Sequence, residues 1–372
     1  MNTHTTKKQA PWLDMATSVI RRHVKGQEQW HYEHGLMLGA IDLVGQTSGR
    51  PEFQEFVRSY METLVAPDGS IKGYRHTEFN LDQVNPGKVL FGLLERTGDQ
   101  RWRKALDTLR AQLRDHPRTA SGGFWHKQIY PNQMWLDGLY MQGPFWARYA
   151  HQFGPATDLA EVVKQLVLME RLSRDPVSGL LYHACDESKQ QLWANPETGC
   201  SPHFWSRAMG WYAMALVDVL DWLPAGHPGI AELRTILARL AEAILKVQDG
   251  ESGLWFQVLD QGRRPGNYLE SSGSAMFAYA LAKGLRLGHL GDKDGRFRGM
   301  LDRAWQGLLN GPFRQDETGE WHLDGICSVA GLGGNPYRDG SYQYYVKEKI
   351  SSDDYKGVGP FILAGLEIEA LA

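Results

Sequence analysis

The 372-residue chain is poor in cysteine, and its three, Cys185, Cys200 and Cys327, form no C-x-x-C pair. An odd, scattered set excludes a disulfide framework and a thiolate zinc site, and it fits a reducing compartment. No apolar run approaches the roughly 18 residues that a membrane span needs. Asp14 interrupts the stretch from Ala10 to Ile20 and no small-residue cleavage site follows, so this segment reads as an amphipathic first helix rather than a leader. Basic clusters are missing too: none is longer than Lys7-Lys8 or Arg21-Arg22, and the formal net charge is −3. Nucleic acid and membrane surfaces, which want a basic face, are therefore not expected partners. There is no G-x-S-x-G elbow. His31-Tyr-Glu-His34 lacks both the H-E-x-x-H order and a third ligand, so neither a metal nor another cofactor is expected. What remains is a cytoplasmic protein, a monomer or weak homo-oligomer.

Tryptophan, by contrast, is abundant: the chain has 13 Trp and 13 Phe, and indoles beyond those filling a core are suited to stacking on sugar rings. Helical periodicity runs throughout. Trp102, Leu106, Leu109 and Leu113 recur at one helix face, as do Leu233, Ile236, Leu237, Leu240 and Ile244, and again Phe204, Ala208, Trp211, Ala215 and Val219. Stops at Pro and Gly predict helices near 11–22, 31–46, 51–64, 83–97, 100–114, 133–152, 156–173, 204–222, 228–248, 269–287, 295–308 and 358–370. Tight connections alternate with longer ones that carry a degenerate repeat: a turn glycine (Gly69, Gly122, Gly179, Gly253, Gly319) followed by apolar or aromatic residues, which suggests a short extended segment after every second helix. Repeated helical hairpins signal a solenoid or a closed array. Twelve helices in six hairpins, with no polar capping repeat at either end, predict an all-α (α/α)6 barrel spanning 1–372 as one catalytic domain, its long loops rimming a cleft.

The repeat aligns candidate site residues. His126, His183 and Gln257 each lie four positions beyond their turn glycine, so they face a common axis. The densest patch is Gln133-Met-Trp-Leu-Asp-Gly-Leu-Tyr-Met141, where Asp137 sits near a helix start beside Met134, Trp135, Tyr140 and Met141. A carboxylate on an apolar, aromatic face loses hydration, which favours its protonated form and suits a proton donor. The plain structural reading is an acid at the positive end of a helix dipole. One hairpin earlier, Asn80-Leu-Asp-Gln-Val-Asn-Pro-Gly-Lys88 places Asp82 equivalently. It is either an N-cap or the second of two facing carboxylates, whose repulsion would favour a proton on one of them. In His203-Phe-Trp-Ser-Arg-Ala-Met-Gly-Trp211, Arg207 and Trp211 share a face with Trp205 nearby, a set suited to an anionic sugar. Lys356-Gly-Val-Gly-Pro-Phe361 reads as a carboxylate cradle at a helix start or as a plain glycine turn.

These motifs, in this order, together with Trp30-His-Tyr-Glu-His-Gly35 and Tyr268-Leu-Glu-Ser-Ser-Gly-Ser274, resemble the unsaturated rhamnogalacturonyl hydrolases, glycoside hydrolase family 105, over most of the chain. The resemblance implies an (α/α)6 barrel that hydrates the C4–C5 double bond of a terminal unsaturated uronic acid and releases the adjacent sugar, commonly rhamnose, without a metal. It implies that Asp137 protonates C4 and then assists water at C5, with Asp82 stabilising the cationic centre. Tyr32, His126, Trp135, His183, Trp205, Arg207 and Trp211 would bind or stack on the sugar, and Lys356 would take the uronate carboxylate. Cys185 and Ser206 depart from the residues expected at their places, bulkier and smaller respectively. An unsaturated glucuronyl hydrolase for glycosaminoglycan or ulvan fragments, a sugar 2-epimerase and a non-catalytic sugar-binding toroid are the alternative readings.

Overall fold

The computed structural model describes residues 10–372, so Lys7-Lys8 lies outside it. Thirteen α-helices appear among the described residues: α1 (Pro11–Arg22), α2 (Tyr32–Ser48), α3 (Pro51–Glu62), α4 (Gly87–Thr97), α5 (Gln100–Asp115), α6 (Leu136–Phe153), α7 (Asp158–Ser173), α8 (Ser206–Leu220), α9 (Gly229–Leu245), α10 (Ser271–Arg286), α11 (Arg296–Asn310), α12 (Tyr342–Lys347) and α13 (Tyr355–Leu371). None is long and apolar enough to cross a membrane. Helices α2, α4, α6, α8, α10 and α13 pack side by side and close a ring, because α13 contacts both α10 and α2. Each inner helix is backed by an outer partner, α3, α5, α7, α9 and α11 in turn, and α1 backs α13. The last pair joins the two ends of the described chain, where the Trp12 indole donates to Glu369 at 2.6 Å. The fold is an (α/α)6 barrel.

The two rings differ in sequence for a physical reason. An outer helix buries one stripe: α5 covers Trp102, Ala105, Leu106, Leu109, Gln112 and Leu113, while Arg103, Lys104, Asp107 and Thr108 lie on the opposite side. Each leucine among them contributes about 1.5–3 kcal/mol by leaving water. Inner helices are covered all round, as in α8 and α10, and they approach closely through small residues. A Cβ on Gly210 would stand 2.7 Å from the Met276 Cβ, and one on Gly273 2.7 Å from the Ser206 hydroxyl.

The loop repeat has a structural counterpart. Gly69, Gly122, Gly179, Gly253 and Gly319 all take positive φ, between 74° and 89°, which a side chain would strain. After each, the next carbonyl accepts from a backbone N–H shortly before the turn: Ala66, Thr119, Asp175, Asp249 and Asp316 are the donors. Five copies therefore share one hydrogen-bond pattern despite little shared sequence.

Three expectations are corrected. The helix expected from 133 begins at Leu136, because Gln133–Trp135 is a strand (β1) paired antiparallel with Ala184–Asp186 (β2). Met134 thus precedes Asp137 on a strand, not on the preceding helical turn. The helix expected from 83 begins at Gly87, after a 3-10 turn over Leu81–Gln83 whose N-cap is Asn80, not Asp82. The last helix begins at Tyr355, capped by the Asp354 carboxylate on the Lys356 N–H at 3.0 Å. The extended segment expected after Gly319 is β4 (Trp321–Leu323), paired with β3 (Phe313–Gln315). Helix α12, β3 and the pair β5–β6 (Ile326–Cys327, Ile350–Ser351) were not anticipated, being too short to show a period.

Candidate active site

The long loops cap the inner helices by one device used four times. Carbonyls of His126, His183, Gln257 and Gly325 accept from the backbone N–H of Leu81, Leu136, Ser206 and Ser271. Each capped residue is followed by one that the repeat turns toward the axis: Asp82, Asp137, Arg207 and Ser272. The ring closure thus converts four loops of unrelated sequence into one constellation.

The two carboxylates occupy equivalent places and different environments. Asp82 lies 2.6 Å from the Lys127 ammonium and 3.5 Å from His126 Nε2. Burial alone would raise its pKa, but Lys127 and then His126 outweigh it and hold the carboxyl below its ordinary value. The expected repulsion within the pair is thus overridden at Asp82 by a neighbouring cation. Asp137 has no such cation. Its Oδ2 is buried, makes no hydrogen bond and faces His183 Nε2 at 3.3 Å. His183 is held from behind: its Nδ1 lies 2.7 Å from the Tyr345 hydroxyl, which places a proton on Nε2 when Tyr345 donates. Both carboxylates keep about 15% of their side-chain surface open to solvent, 14% for Asp82 and 15% for Asp137, so each borders the cleft.

Aromatic groups frame this centre. Trp135 lies nearly parallel to His126, centroids 4.7 Å apart, and to Tyr130 at 4.9 Å, and meets His183 edge-on at 5.2 Å. Trp211 stacks on Tyr140 at 4.9 Å and meets Tyr32 edge-on. Burial, followed by the charges of Glu33 and Asp82, holds the Tyr32 phenol well above its ordinary pKa, with Arg207 opposing and Asp137 adding to the shift. Arg207 lies over the Trp205 ring and donates to the Cys327 carbonyl and the Ser272 hydroxyl; its Nε has no partner. Tyr32, Asp82, His126, Trp135, Asp137, His183, Arg207 and Trp211 are therefore gathered together.

Two expected site residues lie directly behind this set, Trp205 against His183 and Arg207, and Lys356 with its ammonium 6.0 Å from the Tyr32 ring. Trp205 is 1% exposed and its indole N–H donates to Gln257 at 3.0 Å, so it backs His183 rather than the cleft. Lys356 is 2% exposed and its ammonium is paired with Glu33 and Asp354, so its charge is already balanced. The glycines after it serve packing: a Cβ on Gly357 would meet Ile326 at 2.5 Å and one on Gly359 would meet Leu36 at 2.8 Å. Lys127 and Tyr345 make contacts to Asp82 and His183 that the sequence reading did not foresee. Lys127 had a signal, its place directly after a repeat histidine. Tyr345 had none, since it comes from the short α12.

Burial also makes the site acid-sensitive. Desolvation outweighs all other influences at His126 and His116 and pushes both down to about 4. Their unfolded forms titrate near the ordinary 6.5, so between about 6.5 and 4 the unfolded chain binds protons that the folded chain refuses. Stability is fully present above that window and falls as pH drops through it. His34 is pushed down to about 4 by burial as well. Thermal melts from pH 7 to 4 are expected to show Tm falling by several degrees, and His116→Gln, which removes one of these three protonation sites, is expected to flatten the decline. A flat Tm across the window would contradict buried neutral histidines.

The whole arrangement has close counterparts. The family model described as Glycosyl Hydrolase Family 88 matches residues 6–372. A solved Clostridium acetobutylicum glycoside hydrolase from family 105 ("C. acetobutylicum ATCC 824") superposes with a TM-score of 0.94 at 46% identity, covering 97% of this chain and 99% of that one. Protein Atu3128 of Agrobacterium fabrum is 44% identical over 62% of this chain and 98% of its own length. The unsaturated rhamnogalacturonyl hydrolase YesR of Bacillus subtilis is 28% identical over 72% of this chain and 76% of its own. With a family model spanning nearly every residue and a ring that superposes almost throughout, the chain belongs to the glycoside hydrolases of the family 88 and 105 group.

Proposed function

We propose that the protein hydrates the C4–C5 double bond of a terminal unsaturated uronic acid and releases the adjacent sugar, with unsaturated galacturonyl-rhamnose as its substrate. The observation that carries this reading is the division between the carboxylates: Asp82 is held ionised by Lys127, while Asp137 keeps a buried, unbonded oxygen beside His183. Two equivalent acids in unlike environments are what a proton donor and an electrostatic partner require. Asp137 gives its proton to C4 of the enol ether, and the positive charge that develops on C5 and the ring oxygen is met by the Asp82 carboxylate. The Asp137 carboxylate then takes a proton from the water that adds to C5. The product is a hemiketal whose ring opens, leaving C1 as a hemiacetal that expels the neighbouring sugar. Tyr32, His126, Trp135, His183, Arg207 and Trp211 shape the cleft, and Lys127 keeps Asp82 ionised.

Similarity to the Bacillus subtilis hydrolase favours rhamnose as the leaving sugar. The test is decay of the conjugated-uronate absorbance when the purified protein meets lyase-generated oligosaccharides. Fragments of rhamnogalacturonan are expected to decay fastest. Faster decay with glycosaminoglycan or ulvan fragments would transfer the assignment to a glucuronyl substrate, and no decay with any of them would overturn the activity itself.

A further inference from the structure

The three cysteines are far apart in sequence, yet the fold sets two of them face to face. Cys185, on β2, is bridged antiparallel to Cys200. Flanking bonds run from the Asp186 N–H to the Gly199 carbonyl and from the Ser201 N–H to the Ala184 carbonyl, both 2.9 Å. The cysteines exchange no backbone bond themselves, so they form the non-hydrogen-bonded type of antiparallel pair. In that type the Cα atoms stand about 4.5 Å apart and the side chains share one face at their closest approach. A disulfide spans Cα separations of about 4.4–6.8 Å. Each thiol now donates to a backbone carbonyl, Cys185 to Thr198 at 3.8 Å and Cys200 to Leu172 at 3.1 Å. Cys327, the third, has no thiol neighbour and touches Gln257 instead.

We propose that Cys185 and Cys200 form an oxidisable dithiol site, closed to a disulfide by hydrogen peroxide, that pins residues 186–199 to the strand that directly follows His183. The Cys200 thiolate attacks one peroxide oxygen, giving a sulfenic acid and water once the departing oxygen takes up a proton. The Cys185 sulfur then displaces the second oxygen as water, so two thiols and one hydrogen peroxide yield one disulfide and two waters. Cys185 at its side holds the Cys200 thiol below its ordinary pKa against the opposing effect of burial, which makes Cys200 the attacking sulfur. Both sulfurs are buried, Cys185 1% and Cys200 4% exposed, which favours a small oxidant. The tethered segment holds Trp193, which packs with Trp135 and Leu332 at the cleft wall, so the bond would brace that wall and the strand behind His183 together.

The experiment is thiol counting and peptide mapping on the intact protein before and after hydrogen peroxide. Before treatment all three thiols are expected to alkylate after denaturation. After it, only Cys327 should do so, with a linked peptide joining Cys185 to Cys200, and dithiothreitol should restore three. Proteolytic nicking within 187–198 is expected to slow severalfold in the oxidised form. In Cys200→Ser, both remaining thiols should survive the same treatment unlinked. Three thiols persisting in the wild type, a linkage through Cys327, or conversion of Cys200 to sulfinic acid without linkage would each overturn the proposal. None of these readouts depends on the substrate.

Discussion

Asp137→Asn is expected to lower kcat on an unsaturated uronyl disaccharide by about 10³- to 10⁴-fold while KM changes little. A positioned general acid contributes on the order of 10²- to 10⁴-fold, and here one group serves twice, as donor to C4 and as acceptor from water. The amide keeps the shape of the carboxylate and its place after Leu136, so it removes the proton without emptying the site. Stability should not suffer. The wild-type Oδ2 is a buried acceptor without a partner, a cost the fold carries at its site, and a neutral amide, which is cheaper to bury than a carboxylate, lowers that cost. The prediction therefore pairs a collapse of turnover with a Tm equal to or above that of the wild type. Full turnover in a well-folded variant would remove Asp137 from the chemistry, and a collapse of both activity and Tm would reassign it to the structure.

How much of this was legible beforehand follows from what each residue depends on. The ring was legible because each outer helix writes its stripe in the sequence and each hairpin returns to a turn glycine, such as Gly122 or Gly253. The equivalence of Asp82 with Asp137, and of His126 with His183, was legible for the same reason: register within a repeat is a sequence property. The Lys356 loop was open in the sequence because a Lys-Gly-x-Gly string looks alike as an anion cradle and as a packing seam. The neighbours, Leu36 and Ile326 for the glycines and Glu33 for the ammonium, appear only in the folded chain. The surroundings of Trp205 were equally hidden, since its indole partner Gln257 is remote in sequence. The start of α6 was misplaced because pairing of β1 with β2 is a tertiary contact that overrides local helical preference. Tyr345 and the Cys185–Cys200 pairing depend wholly on the folded chain, so no spacing rule reaches them.

The second large effect is expected at Asp82, and its value lies in separating charge from shape. Asp82→Asn should reduce kcat by about 10²- to 10³-fold, the range for losing one preorganised electrostatic contact to a developing charge. Lys127 supplies the complementary variant. In the wild type, burial raises the Asp82 pKa and the Lys127 ammonium more than reverses it. Lys127→Met deletes the reversing influence and leaves the burial, so the Asp82 pKa must rise. A group whose folded pKa is depressed acts in its ionised form above that pKa and loses it as pH falls through it. The acid limb of kcat/KM is therefore expected to move to higher pH in Lys127→Met, with activity approaching that of the wild type once Asp82 is ionised again. In Asp82→Asn no limb from this group should remain. Measuring kcat/KM from pH 4 to 8 for the wild type and both variants gives three separable profiles. An unmoved limb in Lys127→Met would show that another group sets it. Wild-type kcat in Asp82→Asn would show that the oxocarbenium charge is met elsewhere, with Asp82 serving only to hold Lys127 in the cleft.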